Sequence, residues 1–232
     1  VSPLTLNPMS SATPFINYKI AIIGLGYVGL PLAVAFGEKY SVIGFDIQSD
    51  RVAQLRKGED NTLQCTPQEI ANASKLNFTN DLHQIKDCNI YIITVPTPVT
   101  KDKQPDLNLL LTATQMVGRL LKQGDIVIYE STVYPGCTEE DCVPLLEKAS
   151  GLKFNKDFYC GYSPERINPG DKINTLTKIK KLLLSELPVA VDKLVVNVLV
   201  MGESADPIFN EVLLSELGSK PLVSKFALGP VT

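Results

Sequence analysis

Between positions 18 and 162 the chain alternates between two hydrophobic patterns. Residues 18–23 (YKIAII), 41–46 (SVIGFD), 89–95 (NIYIITV) and 125–130 (DIVIYE) are compact, largely apolar runs that predict buried strands. The run at 89–95 is the richest of these in β-branched residues. Residues 76–79 read as a shorter strand and 158–162 as a last one. Between these runs the apolar positions take helical spacing, over 27–39, a charged stretch near 50–57, 107–123 and a segment near 138–150. Strands that are apolar throughout and separated by helices belong to a parallel sheet covered on both faces. The expected fold is therefore α/β, an open doubly wound (Rossmann-like) parallel sheet with right-handed crossovers and strand order 3-2-1-4-5-6.

The two ends fit this pattern less well. Residues 1–17 are rich in Ser, Thr and Pro, uncharged, and lack the basic and long apolar regions of a signal peptide, so they read as a disordered leader. After Lys181 the pattern loosens, with 194–201 (LVVNVLVM) apolar enough for a strand and 209–217 for a short helix. The domain reading is thus a leader at 1–17, a nucleotide-binding domain at 18–180 and a short, poorly defined tail at 181–232 that is marginal as an independent domain. Glu186, Pro188, Asp192 and Lys193 interrupt the apolar stretch at 182–201, which argues against a membrane span.

Composition narrows the range of functions. Lys and Arg total 22 against 25 Asp and Glu, a net charge of −3 with no basic stripe, so nucleic acid is not an expected partner. The five cysteines (Cys65, Cys88, Cys137, Cys142, Cys160) have no C-x-x-C spacing, and His83 is the only histidine. A Cys/His metal site has little to draw on, no metal is expected, and reduced thiols in a cytoplasmic protein are the plain reading.

One motif carries specific chemistry. Gly24-Leu25-Gly26-Tyr27-Val28-Gly29 directly follows the first strand and opens the first helix. Gly24 permits the tight turn, Gly26 lets backbone approach a pyrophosphate, and Gly29 lets helix and strand pack closely. The phosphates then face free N–H groups at the positive end of the helix. Pro31 falls in the first turn, where its missing N–H costs little. Asp46 ends the second strand, 22 positions beyond Gly24, where a carboxylate binds ribose hydroxyls and repels a 2′-phosphate. That favours NAD over NADP, although a fingerprint of this kind does not by itself separate NAD from FAD.

Four motifs in order, GLGYVGLP (24–31), VPTP (95–98), ESTVYPG (130–136) and GYSPERINPGDK (161–172), make the chain resemble the UDP-glucose/GDP-mannose dehydrogenase family from about Tyr18 to Lys180. Within that family it is most similar to the bacterial UDP-N-acetylhexosamine 6-dehydrogenases that supply uronic acids for surface polysaccharides. The resemblance implies NAD as cofactor, held by backbone at Leu25, Gly26, Tyr27 and Val28, with Asp46 on the ribose and Arg51 on the adenosine side. It implies that Val95, Pro96 and Thr97 line the cofactor, that Ser131 and Thr132 approach the nicotinamide and substrate, and that Glu165 bridges the cofactor and sugar sites. Pro169 stands where some family members have a second acid, a feature shared with the acetylhexosamine branch.

Plainer readings stand beside these. Thr97 and Ser131 are the kind of residues that cap turns, Arg51 on a charged helix reads as a solvated face, and Glu165 beside Arg166 as a surface ion pair. The resemblance favours function for Thr132 and Glu165, and leaves both readings open for Arg51.

The family oxidises the sugar C6 alcohol to a carboxylate in two hydride transfers, through a cysteine in a G-G-H-C-type segment, with an oxyanion held by Lys and Asn on a central helix. No cysteine follows Cys160, and that helix, which forms the family's homodimer, is not recognisable after Lys181. The expectation is an NAD-binding domain, truncated or rearranged after 181, that binds NAD but turns over a UDP-N-acetylhexosamine weakly or not at all. Cys137, in YPGCTEE, is a weak substitute nucleophile that a helix N-terminus would activate. Cys65, Cys88, Cys142 and Cys160 read as packing residues, and His83 as solvent-facing. Two other readings remain at this point: a compact NAD-dependent reductase using Lys193 or Lys220, and a non-catalytic cofactor-binding or assembly module.

Overall fold

The structure, a computed structural model, describes residues 18–163. The expected leader at 1–17, the end of the expected 18–180 domain and the tail at 181–232, with its strand at 194–201 and helix at 209–217, lie outside the described residues.

The described chain runs β1 (Lys19–Ile23), α1 (Gly29–Gly37), β2 (Ser41–Phe45), α2 (Ser49–Arg56), α3 (Pro67–Asn72), β3 (Leu76–Thr79), a 3-10 turn (Leu82–Ile85), β4 (Ile90–Ile93), α4 (Asn108–Gly118), β5 (Ile126–Tyr129), a π turn (Thr138–Cys142), α5 (Val143–Ser150) and β6 (Tyr159–Tyr162). The six strands form one sheet in the order 3-2-1-4-5-6, and every pairing is parallel, as the apolar runs imply.

Strand alternation sends neighbouring side chains to opposite faces, and both faces are covered. Ile20, Ile22, Ile90, Ile92, Ile126 and Ile128 pack with Leu30, Ala33 and Phe36 of α1. Ala21, Ile23, Tyr91, Ile93, Val127 and Tyr129 pack with Leu110, Ala113 and Val117 of α4 and Leu146 of α5. The Tyr129 hydroxyl, buried between β5 and α4, is matched by Thr114 Oγ1 at 3.1 Å.

Several element limits differ from the sequence reading, for local reasons. α3 was not expected, because six residues are too few to show periodicity; its signal is chemical. Thr66 and Glu69 form a reciprocal capping box, and Pro67 occupies the first turn. The helix expected over 107–123 ends at Gly118, and the buried Asp125 accepts from the Lys122 N–H at 2.8 Å to fix the turn that follows. The helix expected near 138–150 divides into the π turn and α5, and the Val143 N–H bonds back to Thr138 O.

Candidate cofactor site

The carboxyl ends of β1, β2 and β4 meet at the glycine turn, and β5 ends beside β4. Gly24 takes φ +95°, a backbone state that other residues adopt at a cost, and its N–H bonds to Phe45 O at 2.8 Å. Thr94, one residue beyond β4, is buried, and its hydroxyl lies 3.0 Å from Ile23 O and 2.7 Å from Gly24 O. This hydroxyl props the turn from below, a contact that no spacing rule signals.

The remaining glycines are required for different reasons. A Cβ on Gly29 would fall 1.9 Å from Gly24 O and 2.4 Å from Thr94 Oγ1, so the protein's own backbone excludes any larger residue there. A Cβ on Gly26 would meet no protein atom within 4 Å, and Gly26 and Tyr27 are exposed. The first bond of α1 runs from the Leu30 N–H to Gly26 O, so the N–H groups before it are those a helix start leaves for an anion.

Asp46 lies just past β2. Its Oδ2 accepts from the Leu25 N–H and its Oδ1 from the Gln48 N–H, each at 2.9 Å. Each carboxylate oxygen can accept more than one donor, so ribose hydroxyls are not shut out. Ile47 beside it is 74% exposed, an apolar surface of the kind that suits a base, and sequence reasoning did not single it out.

Arg51 is not a solvated residue, contrary to the plainer reading of α2. Its side chain is 10% exposed; Nε donates to Leu25 O at 2.9 Å and Nη2 lies 2.8 Å from Asp60 Oδ1. Asp46 and Arg51 therefore hold the N–H and C=O of the same residue in the glycine loop. Asp60, also missed in the sequence, sits in the loop after α2 with its side chain fully buried. Burial alone would raise its carboxyl, but hydrogen bonds from Thr62, Cys65 and Arg51 outweigh that and bring it down to about 2.

On the β4–β5 side, hydroxyls join loops to each other. Val95 is half-buried against Gly24, Pro96 is exposed, and the half-buried Thr97 donates to Thr132 O. Ser131 is buried and donates to Val95 O at 2.6 Å. Thr132 is exposed at the rim. Thus Thr97, Ser131 and Thr132 do converge, with the first two hydroxyls bonding between loops 35 and 36 residues apart and not capping their own turns. Glu165, along with Arg166, Lys193 and Lys220, lies outside the described residues.

Cys137 does not make a nucleophile here. It is fully buried, and burial, followed by the neighbouring Cys142 and Asp141, pushes its thiol up to about 12. Glu139, Glu140 and Asp141 fill the turn after it and oppose a thiolate further. Cys88, Cys142 and Cys160 are buried, Cys65 is half-buried, all are free, and His83 is exposed. No group of three or more potential metal ligands occurs among the described residues, and no helix among them is long and apolar enough to cross a membrane.

A parallel sheet in 3-2-1-4-5-6 order, with a glycine turn into a helix and an acid at the end of β2, defines a dinucleotide-binding domain of the Rossmann class. The chain belongs to the UDP-glucose/GDP-mannose dehydrogenase family, whose NAD binding domain it matches over residues 18–194. It is 58% identical over 172 residues to a UDP-N-acetyl-D-glucosamine 6-dehydrogenase of Pseudomonas aeruginosa, covering 74% of this chain and 41% of that protein. A protein of the same name from Salmonella typhi is 60% identical over 164 residues, covering 71% and 39%. Among solved structures, the UDP-D-ManNAc dehydrogenase of Pyrococcus horikoshii superposes with a TM-score of 0.70 at 33% identity, over 79% of this chain and 45% of that one. The chain thus spans about two fifths of the length of these curated relatives. NAD is the cofactor of the matched domain.

Proposed function

We propose that this chain supplies the cofactor-binding part of a UDP-N-acetylhexosamine 6-dehydrogenase, the enzyme that converts the sugar C6 alcohol to a uronate. The observation that carries the reading is the contrast between two glycines: the fold requires Gly29, while the space over Gly26 is left for a ligand. The backbone at Gly26, Tyr27 and Val28 holds the pyrophosphate against the helix start, while Leu25, its N–H and C=O taken by Asp46 and Arg51, fixes the loop that presents them. Asp46 takes ribose hydroxyls, and Ile47 lies against the adenine. Val95, Pro96, Thr97 and Ser131 form the wall on the other side, and Thr132, the exposed hydroxyl at the rim, faces the reacting carbon together with Glu165.

Bound NAD supplies a hydride acceptor. The bonds from Thr97 to Thr132 O and from Ser131 to Val95 O join the two loops to each other, and the loops so fixed would orient that acceptor. Cys137 is unsuited to hold an aldehyde as a thiohemiacetal, and no cysteine follows Cys160 in this sequence, so completing the oxidation needs a nucleophile from elsewhere. The similarity to two UDP-N-acetyl-D-glucosamine 6-dehydrogenases supports the sugar class.

Calorimetric titration of NAD, followed by an assay of NADH formation with UDP-N-acetylglucosamine and UDP-N-acetylgalactosamine, tests the reading. The expected result is binding without turnover. Robust turnover would contradict the missing nucleophile, and absence of NAD binding would overturn the assignment.

A further inference from the structure

Dinucleotide sites that accept NADP commonly place an arginine near the ribose, where its planar fork pairs with the 2′-phosphate. This chain has such a cation: Arg51 reaches Leu25 O at 2.9 Å, and Asp46 holds the N–H of that same residue. Its charge is already matched, because Nη2 sits 2.8 Å from the fully buried Asp60 carboxylate. Asp60 is itself held by donors from its own turn: the Thr62 N–H at 2.9 Å, the Thr62 hydroxyl at 2.6 Å, the Gln64 N–H at 2.8 Å and the Cys65 N–H at 3.0 Å. The pair is therefore fixed from both sides and does not swing apart at low cost. One nitrogen is left over: Arg51 Nη1 is buried and makes no hydrogen bond. A guanidinium whose charge is compensated and whose two Nη1 N–H groups are unpaired suits a neutral ribose oxygen far better than a phosphate dianion.

We propose that Asp60 is a specificity-determining residue for the cofactor: by neutralising Arg51 it denies a 2′-phosphate its counter-ion, so two carboxylates, Asp46 and Asp60, reject NADP. This rests on the reading of residues 24–29 and Asp46 as the NAD site. With Asp60 in place, the three groups Asp46, Arg51 and Asp60 sum to one negative charge; without it they sum to zero.

The test is calorimetric, on the full 232-residue chain. Dissociation constants for NAD and NADP are measured for the wild type, Asp60→Asn and Thr62→Val. Asp60→Asn should reduce the preference for NAD over NADP by about tenfold, and added salt should shrink that change. Thr62→Val loosens the same turn but keeps both charges, so it should weaken the two cofactors alike and leave their ratio within about twofold. Should Asp60→Asn fail to fold, Asp46→Ser carries the test: with Arg51 still neutralised, that variant should continue to prefer NAD. An unchanged ratio in Asp60→Asn, or a preference for NADP in Asp46→Ser, would overturn the proposal and reduce Asp60 to a brace. A wild-type protein that binds neither cofactor would overturn the site assignment itself, and is distinguishable from both.

Discussion

On the β1–β2 side of the sheet's carboxyl edge, the glycine loop is gripped by charge: Asp46 holds the Leu25 N–H, Arg51 holds its C=O, and Asp60 fixes Arg51. On the β4–β5 side the ties are neutral hydroxyls, Thr97 to Thr132 and Ser131 to Val95, joining one loop to the next. The first side is closed within residues 24–65 and presents a finished surface to a ligand. The second presents an exposed Thr132 at its rim, and Glu165 lies outside the described residues. The difference teaches how the fold divides its ties: the charged grip is built within one contiguous stretch, whereas the hydroxyl ties join segments 35 and 36 residues apart.

The largest expected effect comes from breaking what both sides share. Gly29→Ala places a methyl 1.9 Å from Gly24 O, and the backbone must move to relieve it. This should cost about 3 kcal/mol or more, at the upper end for overpacking, and lower the melting temperature by roughly 6–12 °C. A melt within 2 °C or so of wild type would show the turn to be more compliant than its geometry implies.

Asp46→Asn acts on the charged side alone. It leaves an amide that still accepts but no longer carries charge to the Leu25 N–H and the ribose hydroxyls, and NAD affinity should fall about tenfold. Little change in calorimetry would place ribose recognition elsewhere.

The charged side should also respond to acid where the neutral side does not. The Asp60 carboxyl lies at about 2 in the folded chain, below its ordinary 3.8. A depressed folded value stabilises the fold above the unfolded value and loses that contribution as pH falls from about 4 toward 2, on the order of 2 kcal/mol in all. Urea melts at pH 6 and pH 3 should show about half of that loss in wild type, on the order of 1 kcal/mol, and a smaller one in Asp60→Asn. The smallest effect belongs to Thr97→Val, which unties one neutral bond and should cost about 1 kcal/mol, seen as a modest fall in the urea midpoint.

How much of this was legible beforehand follows from the kind of signal each part leaves. Buried parallel strands are apolar on both faces, so the runs at 18–23, 41–46, 89–95 and 125–130 and the sheet order could be read directly. The glycine turn was legible because the tight turn at Gly24 and the close packing at Gly29 fix both residue type and spacing. Thr94 and Asp60 were not: their partners are a carbonyl seventy residues away and an arginine on another element, and no local period records such contacts. Arg51 sits on a charged helix and reads as solvated until the loop carrying Asp60 covers it. α3 was marked by Thr66, Pro67 and Glu69, a capping signature rather than a hydrophobic one.

The open space over Gly26 is where the proposed NAD site stands or falls. The assignment is tested most directly by titrating NAD into wild type and Gly26→Val while following both by thermal melt. Because no protein atom lies within 4 Å of a Cβ there, the variant should melt close to wild type and yet bind NAD at least about 100-fold more weakly. A variant that melts normally and binds NAD as well as wild type would contradict it.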